Sequence, residues 1–144
     1  MTHPPTQNIM ILKKKKVVKI STLDNKLWRI FSKYIRLRDR IQDDYCKCIS
    51  CGSIHHWKAI HAGHFLSRRH KQIKYDEQNV HSQCVTCNSF EEGNQYKYGL
   101  ALIEKYGDSI INDLHARKKL NKIPDRLWYI EQIKIYQDKL KEME

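Results

Sequence analysis

The chain has 144 residues, 40% of them hydrophobic and 30% charged, with a net charge of +11, which is enough for one modest core and too little for two. No run approaches the roughly 18 apolar residues of a membrane span, and the lysine-rich start lacks the apolar stretch of a secretory signal, so a cytoplasmic protein with no membrane partner is expected. The charge is uneven: residues 1–75 hold 17 Lys/Arg against 4 Asp/Glu, whereas residues 76–144 hold 10 against 12, and such an excess directs a polyanion to the first half through counterion release.

In chain order, residues 1–20 contain Pro4, Pro5 and the run Lys13–Lys16, which reads as a basic arm, with Val17–Ile20 docking as a short strand. Ser21 or Thr22 is placed to cap a helix whose core stripe is Leu23, Leu27, Ile30, Tyr34, Leu37 and Ile41. Lys26, Arg29, Lys33, Arg36 and Arg40 form a second stripe of the same period, either a cationic ridge for DNA phosphates or a solvated face. From Tyr45 to Asn94 helical periodicity fails and cysteine, histidine, glycine and asparagine accumulate, as they do where metal and turn chemistry replace an apolar core. Beyond lie a helix from Tyr96 to Tyr106 closed by Gly107, a second capped by Asp108, and a third with Pro124 in its first turn. The last helix aligns Tyr129, Ile133, Tyr136, Leu140 and Met143 on a seam that packs on its own domain or on a second chain. Trp28, Trp57 and Trp128 are assigned to packing. The division is thus an arm (1–20), a metal-bearing domain (21–119) and a C-terminal helix (120–144).

Cys48 and Cys51, with Cys84 and Cys87, form two CxxC knuckles separated by 33 residues from Cys51 to Cys84. Two thiolates from each close a tetrahedral structural Zn²⁺ site. Cys46 competes with Cys48 on proximity, but only Cys48 completes CxxC.

Between the knuckles runs HAGHFLSRRHKQIKYDEQNVHSQ, and Asn88 directly follows the second. His64, Asn79 and Asn88 resemble the HNH or ββα-metal nuclease motif threaded through a zinc-binding treble clef, with asparagine in the third place. More narrowly, AGHF, NVHSQCVTCN, the continuation Gly93, Asn94, Tyr96 and the upstream YIRLRD at Tyr34–Asp39 resemble the NinG (Rap) recombination family of lambdoid phages, over roughly residues 26–115. The third-place asparagine is also similar to the junction-resolving phage endonuclease VII group. The resemblance implies an α+β fold, a small zinc-stapled treble-clef ββα-metal (HNH-type) nuclease core flanked by helices.

The chemistry of the residues is consistent with that likeness. Phosphodiester hydrolysis needs an activated water and neutralisation of the phosphate and the leaving oxygen. His64 can take the proton from water. Asn79 suits fixing the loop and orienting His64, and Asn88 offers an amide oxygen to Mg²⁺ or Mn²⁺, with Glu91 and Glu92 expected on the same helix face. Many HNH enzymes carry a metal ligand just before the base, where this chain has Gly63, so His61 or either glutamate is left as the first ligand. His81 reads as structural, and His55, His56 and His70 as surface groups. Arg68, Arg69, Lys71 and Lys74 are expected on DNA phosphates. The expected function is a metal-dependent endonuclease acting as a homodimer on branched DNA (Holliday junctions and flaps), leaving 5′-phosphate and 3′-hydroxyl ends as the resemblance implies. The rivals are a catalytically silent, zinc-stabilised DNA-binding module and a sequence-specific duplex endonuclease.

Overall fold

A computed structural model describes residues 16–144, so Lys13–Lys15 and most of the expected arm lie outside the described residues. The first helix, α1, runs Ile20–Arg38 and starts after Lys19 with no side-chain cap, ahead of the expected Ser21 or Thr22. Val17 and Val18 form no strand and are 74% and 48% exposed. Instead, the Arg126 guanidinium holds the Val18 carbonyl.

The core stripe of α1 is rotated from the expected one. Leu27, Phe31 and Ile35 are fully buried and Leu37 nearly so, whereas Ile30 and Tyr34 flank them half-buried. Ile41 falls beyond the helix end in the first strand and is 59% exposed. The aromatic partners set this choice: Phe31 meets Tyr75 and Tyr136 edge-on, at 5.2 and 4.9 Å between ring centres, a geometry worth about 0.5–1.5 kcal/mol per pair beyond area burial.

Three short antiparallel strands follow, β1 (Arg40–Gln42), β2 (Tyr45–Lys47) and β3 (Ile54–His56), in the order β1-β2-β3. A separate hairpin joins β4 (His61–His64) to β5 (Val80–Gln83), pairing His61 with Gln83, Ala62 with Ser82, Gly63 with His81 and His64 with Val80. The chain then makes a π-helical turn, Thr86–Phe90, and three helices: α2 (Gln95–Tyr106), α3 (Ile110–Leu120) and α4 (Arg126–Met143). Gly107 ends α2 at φ +102°, a conformation that favours glycine. Ser109 rather than Asp108 precedes α3, and Asp125 caps α4 by accepting the Trp128 N–H at 2.9 Å, which leaves Pro124 just outside the helix. The architecture is α+β.

Two cores result. In one, α1 and α4 pack side by side in parallel over Val80 and Ala62 of the hairpin; Asp24 bonds Tyr129, and Lys33 bonds Glu144 farther along. Tyr129, Ile133 and Tyr136 are buried in this contact and Leu140 and Met143 half-buried, so the apolar seam of α4 serves its own chain rather than a second copy. The other core gathers Ile73, Tyr98, Leu102, Ile110 and Leu114 between α2, α3 and the β4–β5 loop. Among the described residues no helix is long and apolar enough to cross a membrane.

Phe31→Ala should cost about 3–5 kcal/mol, the typical loss for a buried phenylalanine, whereas Ile41→Ala should stay within about 0.5 kcal/mol as an exposed substitution. Urea denaturation of the two variants checks the rotated stripe, and equal losses would contradict it.

Candidate functional site

The knuckles come together as the spacing required. The Sγ atoms of Cys48, Cys51, Cys84 and Cys87 all lie within 4.8 Å of one another, and the Cys51–Cys84 separation is 3.8 Å. A tetrahedral ion with metal–sulfur bonds of about 2.3 Å has sulfur–sulfur edges of about 3.8 Å. Each knuckle also aims backbone N–H groups at sulfur, from Cys51 to Cys48 at 3.5 Å and from Cys87 to Cys84 at 3.4 Å. The four cysteines therefore fit a metal ion such as zinc. Cys46 stands apart, its thiol donating to the Arg36 carbonyl at 3.0 Å.

The first knuckle sits on the β2–β3 turn and the second follows β5, so the cluster clamps the β4–β5 hairpin between them. On one face of β4, His64 is half-buried and stacks on Trp28 at 5.0 Å between ring centres. Its Nε2 lies 2.9 Å from the Lys74 carbonyl, an acceptor only, so Nε2 carries the proton and Nδ1 keeps its lone pair. Burial, opposed by that carbonyl and reinforced by the nearby charges of Arg68 and Lys74, pushes the ring's pKa down to about 4. Asn79, fully buried, fixes the loop: its amide accepts from the Leu66 N–H at 2.8 Å and donates to the carbonyls of Leu66 and Ile73 at 3.0 and 3.2 Å. It thus shapes the segment that brings Lys74 to His64, without bonding His64 itself.

The opposite face of β4 carries His61 and Gly63, because side chains alternate along a strand. A Cβ at Gly63 would overlap the amide of Gln83, which crosses that space and donates to the Gly93 carbonyl and, at 2.9 Å, to Ser50. A side chain at position 63, such as the Asp or His ligand that many HNH enzymes carry there, has room only if Gln83 moves. The Gly63 carbonyl accepts from the Tyr98 hydroxyl at 2.7 Å; Tyr98 lies 3.2 Å from His81 Nδ1, and His81 Nε2 lies 2.7 Å from the Tyr106 hydroxyl. This buried chain makes His81 structural and fixes the Gly63 peptide next to His64. Trp28, Tyr98 and Gln83 had no motif to mark them in the sequence; Gln83 comes to the site on β5, and Trp28 and Tyr98 come with the helices packed against the hairpin.

His61 and Asn88 do meet, with Nδ1 and the amide nitrogen 3.1 Å apart. An octahedral cation bound at about 2.1 Å places adjacent ligands about 3.0 Å apart, so this pair can supply two positions after the amide turns its oxygen inward. Glu91 and Glu92 do not continue Asn88's helix as expected: the π-turn ends at Phe90, and Glu92 lies in the left-handed region at φ +49°. Among the described residues the four cysteines are the only Cys/His/Asp/Glu group of three or more within metal reach.

The expected phosphate contacts divide. Lys26, Arg29, Arg68, Arg69 and Lys71 are exposed, and Arg68 lies over Trp28 at 5.3 Å. Lys74, only 5% exposed, is paired with Asp24 at 2.7 Å and is not a phosphate contact. Burial opposes ionisation of Asp24, but bonds from Lys74 and Tyr75 outweigh it and hold this carboxyl below its ordinary pKa. Lys33 pairs with Glu144, Arg40 bonds the Leu37 carbonyl at 3.0 Å, and Arg36 bonds the Trp57 carbonyl at 3.1 Å.

Cys84→Ser should lose the bound metal and lower the melting temperature, whereas Cys46→Ser should keep its metal; elemental analysis with thermal unfolding decides, and a Cys84 variant unchanged in both would remove the cluster as a metal site. His64 and His81 have folded pKa values pushed down to about 4 and about 3, chiefly by burial. Stability should therefore be full above the unfolded histidine value of about 6.5 and be lost progressively as pH falls from there toward the folded values. Denaturation midpoints flat across that window would contradict the burial of both rings.

The family profile described as "Bacteriophage Lambda NinG protein" matches residues 6–144. The chain is 34% identical over 117 residues to Protein ninG of Salmonella phage P22, an alignment covering 76% of this chain and 52% of that protein. It is 32% identical over 117 residues to Protein ninG of Escherichia phage 933W and to that of Escherichia phage lambda, each again with 76% of this chain and 52% of the relative covered. The chain thus spans about half the length of the curated relatives it matches. No solved structure matches it. With nearly its whole length matched by the family profile, from the basic arm to the last helix, this chain belongs to the NinG family.

Proposed function

We propose that this chain is a metal-dependent DNA endonuclease acting on branched DNA, in which a zinc-stapled treble clef carries an HNH-type ββα-metal site. The observation that carries the proposal is the state of His64: a neutral imidazole whose proton is held on Nε2 by the Lys74 carbonyl, with the Nδ1 lone pair left as acceptor. Such a group is unprotonated at neutral pH and keeps a lone pair that would accept from a water. Stacking on Trp28 fixes the ring plane, and Asn79 holds the loop that supplies the carbonyl.

His61 and Asn88 would hold Mg²⁺ or Mn²⁺, which when bound supplies charge neutralisation at the phosphate and the departing 3′ oxygen. Because His64 and His61 lie on opposite faces of β4 and at its opposite ends, about 10 Å apart along the strand, the strand would have to shift for one phosphate to meet both. Arg68, exposed over Trp28 beside His64, is placed to hold such a phosphate. The asparagine in third place supports the likeness to phage endonuclease VII, and a four-way junction needs two opposed nicks, which a homodimer would supply. With the α4 seam engaged by α1, pairing would use another surface.

One observation favours the competing reading of a silent DNA-binding module: Gln83 fills the space at Gly63 where a metal-binding carboxylate would begin. A nicking assay on four-way junction, flap and linear duplex DNA with Mg²⁺ or Mn²⁺ separates the two. We expect cleavage of branched substrates, lowered roughly 100-fold or more by His64→Ala with DNA affinity and zinc retained. DNA retention without cleavage by the unaltered protein would favour the silent module, and near-normal turnover by the His64 variant would remove His64 as the base.

A further inference from the structure

Trp57 belongs to neither hydrophobic core, unlike Trp28 and Trp128, which border the first. It lies in the turn after β3, half-buried under charge rather than under apolar groups. Three cations surround its ring: Lys33 Nζ at 5.9 Å from the ring centre, the Arg36 guanidinium at 5.4 Å and Lys58 Nζ at 5.6 Å. The ledge continues through His56, whose ring lies 6.1 Å away at 28°, to Tyr45, which packs edge-on against His56 and is 49% exposed. Arg36 is oriented in advance by bonds to the carbonyls of Ser32 and Trp57, each 3.1 Å. Lys33 makes a surface pair with Glu144, the kind of contact that a competing anion displaces. Asp44, 3.7 Å from Arg40 and 3.8 Å from His56, marks the far edge.

We propose that Trp57 and its cationic collar form a stacking platform for an unpaired DNA strand, at a distance from His64. With Lys33 drawn from the ring to a flanking phosphate, the half-buried indole would present a π-face to a base while Arg36 and Lys58 supply charge beside it, the pairing that recurs in single-strand binding. An acidic peptide would use the charges and leave the aromatic ledge unused, and a duplex keeps its bases stacked away from the ring. Arg29, Lys33 and Arg36 share one face of α1 and lead toward the ledge. From Trp28, which touches His64, to Arg36 is a helix rise of about 12 Å, so the ledge and His64 lie along the same helix. The inference rests on the proposed DNA reading and adds an unpaired strand as part of the substrate.

Fluorescence anisotropy without divalent metal tests it, comparing a blunt duplex with the same duplex bearing a single-stranded tail. The unaltered protein should prefer the tailed duplex. Trp57→Ala should reduce that preference about tenfold, within the range a stacked base contributes, and Trp57→Phe should retain most of it. Zinc content and melting temperature of both variants report on folding, and Lys58→Gln, at an exposed position, should weaken tail binding should the alanine variant unfold. An undiminished preference in Trp57→Ala, equal losses on tailed and blunt DNA, or a phenylalanine variant as damaged as the alanine one would overturn the platform. Failure of the unaltered protein to cleave DNA would count against the endonuclease reading and leave this result standing.

Discussion

Four sulfur atoms within 4.8 Å of one another join two stretches of chain that have few other means of staying together. The strands of the first sheet are three residues each, too short to bury a face of their own. Only a few direct ties link that sheet to the hairpin, among them the Ile49 N–H on the Ser82 carbonyl and Gln83 on Ser50. A metal ion held by the cluster would therefore contribute folding free energy directly, and the groups after the second knuckle depend on it for position. Asn88 is the plainest case, since it follows Cys87 and its N–H bonds the Cys84 carbonyl at 2.9 Å.

Outside the cluster, partly buried carboxylates organise the loop between β4 and β5. Asp24 on α1 reaches Lys74 and Tyr75 in that loop and Tyr129 on α4. Glu77 in turn accepts from Tyr34 on α1 at 2.9 Å and from Tyr136 and Lys139 on α4 at 3.0 and 3.2 Å. Arg38 closes the set, donating to the carbonyls of Glu77 and Val80 at 2.9 and 2.8 Å. Charge-assisted bonds of this kind are stronger than neutral ones and directional, so a long loop without regular structure is held in one conformation. Asn79 completes it from within. The rigidity of this loop is what turns the Lys74 carbonyl toward His64 and selects its tautomer.

The same tight construction explains the departure at Gly63. Gln83 spans from β5 to Gly93 and Ser50, linking the hairpin to the first knuckle and to the segment after the second, and it does so through the space a side chain at position 63 would need. The donors proposed on that face are then His61 and Asn88, with solvent or substrate oxygens left to complete a shell.

The sequence by itself determined the pairing of the cysteines and the approximate helices, because each of these rests on spacing along the chain: CxxC geometry, a period of 3.6, a glycine at a helix end; the α+β class came with the family resemblance. Spacing misplaced what depends on partners distant in sequence. Phe31 rather than Ile30 entered the core because Tyr75 and Tyr136 meet it there; Lys74 left the phosphate-binding set because Asp24 pairs with it; Glu91 and Glu92 left the helix face because the turn after Cys87 ends at Phe90. Trp57 became a surface feature because no core was near enough to bury it, while cations from α1 and its own turn were. Charge, pairing and burial are properties of the neighbours a residue acquires on folding, and only the tertiary structure supplies those neighbours.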